Sequence, residues 1–353
     1  MKRITRLLVL SLSLILLAAL ALPSVPARHA LAQQGILEQV RARGMLNCGV
    51  NPGVPGFGFL DSNTGEWSGL DVDFCRAVAA AVFGEVTKDN LTFVPTTTQD
   101  RFTAVQTGTV DVLFRNATWT LSRDTELGLD FGPVVFYDGQ GVMVRADSGA
   151  QSIADLGGSS ICSLTGTTTE LNITEAMKAQ GLEFELVLFE QPSQTIGGLV
   201  EGRCDALTSD RSQLASLRTT TPDPGAYVIL PDVISKEPLA PAYIETDAKW
   251  ANVVSWTVFA TIQAEEFGIT QANVDSFLTT DNPAIQRFLG IGENASGSLL
   301  GLDNGFVANV IRAVGNYGEI YNRNVGPDTP LALDRELNDL WTNGGLIYAP
   351  AWR

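Results

Sequence analysis

Three observations predict an α/β protein of two lobes. Strand-like and helix-like segments alternate along most of the chain, one helix-turn-strand pattern occurs twice, and 353 residues with 45% apolar and 18% charged content are enough for two ordinary cores. The composition excludes a disordered chain.

Taken in order, residues 1–32 carry Lys2, Arg3 and Arg6, an apolar run from Leu7 to Leu22, and Ala30-Leu31-Ala32 as a small-residue cleavage site. This is the grammar of an export signal, cleaved near Ala32, and the run is short against the roughly 20 residues of a spanning helix. Cleavage removes four basic residues and no acids, which takes the formal net charge from −16 to −20. So acidic a surface disfavours nucleic acid and anionic lipid as partners, and no later stretch is long and apolar enough to insert in a membrane. The only histidine, His29, leaves with the signal. That removes Ser-His-Asp and Cys-His catalysis and imidazole metal ligation, and no metal or other cofactor is expected.

LNCGVN (46–51) reads as a strand, DVDFCRAVAAAVFG (71–84) as a helix closed by a glycine, and LTFVP (91–95) as a strand. After Gly141 the alternation resumes through GVMVRA, SSICSL, the helix TTTELNITEAMKAQG, FELVLFE, the helix TIGGLVEGR and CDALTSD, which argues for parallel sheets. From Asp247 onward the chain reads as mostly helical. Phe306, Val307, Val310, Ile311, Val314, Tyr317, Ile320 and Tyr321 form one apolar stripe, best taken as core. The four cysteines fit no zinc spacing and contain no C-x-x-C. Export makes two disulfides the expectation, and of three connectivities Cys48–Cys75 with Cys162–Cys204 is preferred.

The repeat fixes where the site is expected. FTAVQTGTVDVLFRN (102–116) and IGGLVEGRCDALTSD (196–210) share apolar, glycine and Asp-small-Leu positions register for register. Gly108 and Gly202 would end helices, Asp111 and Asp205 would begin strands, and Asn116 and Asp210 would emerge at strand carboxyl ends, where open α/β sheets bind ligands. Around these ends gather Thr118, Thr120 and Arg123, and a helix opening at Thr167, Thr168 and Thr169. A guanidinium and a helix N-terminus suit a carboxylate, and an aspartate suits an ammonium: together they form a receptor for a zwitterion. Against this, Arg123 also reads as a surface arginine paired with Asp124 or Glu126, and Asp210 as the cap of the helix RSQLASL.

GLDVDFCRAVAAAV (69–82) resembles the signature segment of periplasmic amino-acid-binding proteins of ABC importers, the family 3 solute-binding proteins. The similarity continues in order through TWTLSRDTELGLDF, DGQGVMVR, GTTTEL, CDALTSD, VSWTVFATIQAEEFGITQANV and GGLIYAP, and is nearest to the general L-amino-acid binders. The resemblance implies the two-lobed type II periplasmic-binding fold with a two-strand hinge and a helical C-terminal extension. It implies a discontinuous first lobe (33–138 plus 241–353), a second lobe (139–240), crossings near Tyr137–Gly141 and Glu237–Ala242, and transport permease subunits as partners of a monomer. Carried over residue by residue, it puts the carboxylate clamp on Arg123 with Thr118 and Thr168, the ammonium partner on Asp210, and Asn116, Thr167, Asn51 and Thr98 around the ligand. Thr98 stands where relatives carry an aromatic residue. With Asn51 and Thr98 uncharged, the expected ligands are acidic, amide and small polar L-amino acids alike. Two rival classes are a dehydratase-like enzyme of the same fold, for which the cleft offers an acid in Asp210 but no histidine, metal set or activated nucleophile, and the sensor module of a receptor, which would bring a membrane and signalling segment.

Overall fold

The structure is a computed structural model that describes residues 35–292 and 296–353, so the expected signal segment lies outside the described residues. Two sheets dominate. The first runs Leu91–Pro95, Leu46–Val50, Val112–Leu113, Ala242–Ile244, Leu129–Phe131, and the second Glu185–Phe189, Ser160–Leu164, Ala206–Asp210, Phe136–Arg145, Tyr227–Ile229. Neither is purely parallel, contrary to the expectation. Leu46–Val50 lies parallel to both its neighbours, and Ser160–Leu164 to both of its own, but Ala242–Ile244 and Phe136–Arg145 pair antiparallel. These two are the segments entering a lobe after a crossing, and a chain that crosses between lobes without a helix arrives running the other way.

The crossing itself is a two-stranded ribbon. Phe136–Gln140 pairs antiparallel with Ser235–Leu239, and Asp138 stands opposite Glu237. Phe136–Arg145 then continues into the second sheet.

The long helix Leu70–Phe83 is apolar almost all round, and Leu70, Val72, Phe74, Val78 and Ala81 are buried. A helix of that kind must be covered on both sides. One side meets the first sheet. The other meets the C-terminal helices Ala248–Glu266, Phe306–Val314 and Tyr317–Asn324, whose apolar side chains belong to the same core. The stripe read as one helical face is thus two helices, separated at Gly315 and Asn316, with Asn316 capping the second. Its residues are buried as core, as expected.

The extension also reaches the crossing ribbon. Tyr317 Oη donates to the Val135 carbonyl at 2.9 Å. Asn338 takes both backbone groups of Tyr137, accepting its N–H at 2.6 Å and donating to its carbonyl at 3.0 Å. Arg335 locks this segment down, lying 5.1 Å from the ring centres of both Tyr317 and Tyr321 and reaching Glu265 at 3.1 Å. Cys48 is joined to Cys75 and Cys162 to Cys204, so each bridge stays beside one sheet and neither crosses the ribbon.

Candidate functional site

Arginines make one wall. Helix Leu121–Glu126 opens at Thr120, whose hydroxyl accepts from the Arg123 N–H at 3.3 Å. The Arg123 side chain turns inward, away from Asp124 and Glu126. Its Nη1 donates to the Thr118 carbonyl at 2.8 Å, and the guanidinium lies 5.1 Å from the centre of the Phe102 ring. Burial pushes its pKa down, against the attraction of Glu237 and Asp210. Arg115 donates from Nε to the Thr96 carbonyl at 3.0 Å and leaves Nη2 without a partner. Burial lowers it to about 10, opposed by Asp71 and Asp100. Asn116 holds φ 42, a left-handed conformation that asparagine tolerates, and its N–H donates to Asp71 at 3.1 Å. Burial drives Asp71 up to about 7, although the Asn116 N–H and Arg115 pull the other way. Both atoms of the Asn116 amide are buried and unbonded.

The opposite wall comes from the second sheet. Thr167 caps helix Thr168–Ala179, accepting from the Glu170 N–H at 3.2 Å, and Gly166 donates its N–H to the Glu170 carboxylate at 2.7 Å. Asp210 ends the strand Ala206–Asp210 and occupies the cap position of helix Arg211–Thr219, but its side chain accepts no capping hydrogen bond. Among the described residues nothing donates to that carboxylate, which lines the cavity on a residue only 7% exposed. Its pKa is raised well above the ordinary range by burial first and then by Asp138 and Glu237, with Arg101 and Arg123 opposing. A largely buried carboxylate that faces a cavity and does not cap its helix leaves its charge for a partner in that cavity.

Between the walls stands Glu237, which the sequence reading assigned only to a crossing. It is fully buried on the ribbon and accepts hydrogen bonds from Thr118 Oγ1 at 2.5 Å, Thr168 Oγ1 at 2.9 Å, Asn172 Nδ2 at 2.9 Å and Ser235 Oγ. The hydroxyls of Thr118 and Thr168, expected at a ligand carboxylate, are both given to Glu237 here. One carboxylate thereby ties the first lobe to the second. Asp138, its cross-strand neighbour, accepts from the Ser212 N–H at 3.3 Å. Burial raises it to about 6, and the charge of Glu237 adds to the rise.

The cavity between the walls is about 20 Å³ and partly open, lined among others by Thr98, Asn116, Thr118, Arg123, Thr167, Thr168 and Asp210. That is little more than the roughly 10–15 Å³ one water needs, so the cavity as it stands has no room for a larger solute. Further ties hold this closed form: Ser216 Oγ donates to the Pro55 carbonyl at 2.6 Å and Thr98 Oγ1 to the Glu190 carbonyl at 3.4 Å. Asn51 is not brought to the cavity. Its Oδ1 accepts from the Gly53 N–H at 3.1 Å and folds its own loop. Nor is the lining free of charge beyond the expected pair, because Arg101 and Arg115 join it. Both were hidden in the sequence as flanks of secondary structure, Arg101 opening a helix and Arg115 two residues past the strand Val112–Leu113.

The model of the bacterial extracellular solute-binding proteins, family 3, matches residues 46–287. The chain belongs to that family. It is 51% identical over 318 residues to the General L-amino acid-binding periplasmic protein AapJ of Rhizobium johnstonii, covering 90% of this chain and 92% of that one. It is 47% identical over 323 residues to the Glutamate/glutamine/aspartate/asparagine-binding protein BztA of Rhodobacter capsulatus, covering 91% and 94%. Among solved structures, a periplasmic binding protein from Brucella ovis with glutathione bound superposes with TM-score 0.88 at 48% identity, covering 91% of this chain and all of the other. The matches to AapJ and BztA extend past residue 287, so the C-terminal helices are part of what this solute-binding protein shares with them. Among the described residues no helix is long and apolar enough to cross a membrane.

Proposed function

We propose that this solute-binding protein captures free L-amino acids between its two lobes and hands them, as a monomer in the periplasm, to the permease subunits of an ABC importer. The observation that carries the reading is the pair of opposite, underused charges lining one cavity: Asp210, to which no described residue donates, and the buried Arg123 guanidinium, whose side-chain hydrogen bond is to the Thr118 carbonyl alone. An α-ammonium completes Asp210 and an α-carboxylate completes Arg123, so a zwitterion satisfies both walls at once. The names of the relatives support the amino-acid class. Chemistry on the ligand finds little support among the described residues, since Asp210 is the one carboxylate lining the cavity and the nearby Glu237 is already engaged by four donors.

A second ligand is favoured by the glutathione-bound neighbour. The γ-glutamyl end of glutathione carries a free α-ammonium and α-carboxylate, so the same two walls suit it. Calorimetry of the signal-free protein against a panel of L-amino acids, D-enantiomers and glutathione tests the reading, with mass analysis of the recovered ligand. Binding of L-amino acids returned unchanged is expected. Turnover of the ligand, or no binding by any α-amino acid headgroup, contradicts it.

A further inference from the structure

Arg101 is the first residue of helix Arg101–Gln106 and is 3% exposed, and its guanidinium makes no hydrogen bond to any described residue. Its Nε is buried and orphaned, and the group lies 4.7 Å from the centre of the Phe102 ring, the same ring that Arg123 approaches. The charges facing it are Arg123 and Arg115, both repulsive, and Asp210, the one attraction. Arg115 is in a different position, because Asp71 offsets it and Thr96 bonds it. Arg123 is bonded to Thr118 and attracted by two carboxylates. Of the three arginines, Arg101 has the fewest partners within the protein.

A bound zwitterion sharpens this. Once its ammonium takes Asp210 and its carboxylate takes Arg123, the single anion offsetting Arg101 is committed elsewhere. A desolvated guanidinium beside two like charges then gains most from a second anionic group, and its planar fork suits a carboxylate. We infer that Arg101 is the side-chain subsite of this cavity and selects amino acids that bring a second carboxylate over those that bring an amide or a hydroxyl. This rests on the amino-acid reading and deepens it: the site remains broad, but its preference is set by one buried guanidinium. Burial and the neighbouring arginines push the Arg101 pKa well below its ordinary value, in keeping with a cation that lacks an anion.

Calorimetry with L-glutamate, L-glutamine and L-serine on the unmodified protein and on Arg101→Met tests the inference, with circular dichroism as the fold control. The expected result is glutamate binding at least roughly tenfold tighter than glutamine in the unmodified protein, a gap of about 1.4 kcal/mol. Arg101→Met should bring glutamate down to the level of glutamine and leave glutamine and serine within a few-fold. Equal affinity for glutamate and glutamine in the unmodified protein overturns the inference even if the variant fails to fold. So does an equal loss for all three ligands in Arg101→Met, which would mean that Arg101 shares the α-carboxylate. Absence of binding by all three in the unmodified protein overturns the amino-acid reading itself, a different and recognisable failure.

Discussion

In the 102–116 unit, Asp111 accepts the Asn47 N–H at 2.7 Å and returns its own N–H to the Asn47 carbonyl at 2.8 Å. In the 196–210 unit, Asp205 does the same with Ser160, at 2.8 Å both ways. The glycines before them, Gly108 and Gly202, turn with φ 70 and 74, a conformation that other residues rarely hold. The backbone device is identical, yet its surroundings are not. Asp111 is buried, with Arg43 on one side and the Trp250 indole donating to its carbonyl at 2.7 Å, and burial raises its pKa. Asp205 is exposed, and its bonds to Ser160 lower its pKa. At the far ends the contrast is chemical: one unit delivers the unbonded amide of Asn116 beside arginines, the other the carboxylate of Asp210. A repeated turn fixes where a strand ends. On the proposed reading, the single residue placed there sets which pole of a ligand it meets.

Breaking the second unit at its disulfide should have the largest effect. Cys204 is joined to Cys162 across a sequence separation of 42, and on the chain-entropy account replacing both by alanine should cost about 4 kcal/mol of stability, read from denaturant unfolding. Next come the two poles. Asp210→Asn keeps the size and removes the charge, and loss of a desolvated charged partner costs about 2–5 kcal/mol, so affinity for an L-amino acid should fall at least roughly thirtyfold in calorimetry. Arg123→Lys should weaken binding as well, since a point charge does not reproduce a fork. If Asp210 were only a cap, Asn would serve almost as well and affinity would hold.

The smallest effect separates the paired aspartates by pH. Asp205 has its folded pKa lowered, so its contribution is present above the ordinary carboxylate value near 4 and is lost as pH falls through the folded value. Asp111 has its folded pKa raised, so ionising it costs the folded state as pH rises from about 4 through that value. Asp205→Asn should therefore cost up to about 1 kcal/mol at pH 7 and less at pH 3, whereas the penalty of Asp111→Asn should grow toward pH 3. Urea unfolding of both variants at the two pH values should give opposite slopes. Slopes of the same sign would show that the two units do not differ in the way their burial implies.

Much of this was legible because the relevant signals are local. The glycine and aspartate of each unit, the helix Leu70–Phe83 and the threonines opening helix Thr168–Ala179 announce themselves within a dozen residues. Glu237 does not. In SKEPL it reads as a solvated charge on a crossing, and only the register that sets it opposite Asp138 and under Thr118 and Thr168 makes it a buried tie. Arg101 has the same difficulty: a basic residue opening a short helix carries no sign that it faces a cavity. Asn51 shows the other difficulty, since a polar residue after a strand can bond its own turn, as its Oδ1 does with the Gly53 N–H, as readily as a ligand. The antiparallel strand Ala242–Ile244 is three residues long, too short for any period to show its direction.

The central claim is that the two walls take opposite poles of one amino acid. A crystal structure of the protein grown with L-glutamate tests it most directly. The account predicts the α-ammonium within hydrogen-bond distance of the Asp210 carboxylate and the α-carboxylate on the Arg123 guanidinium, each about 2.7–3.0 Å away. A ligand whose ammonium lies far from Asp210, or whose α-carboxylate is held without Arg123, would contradict it.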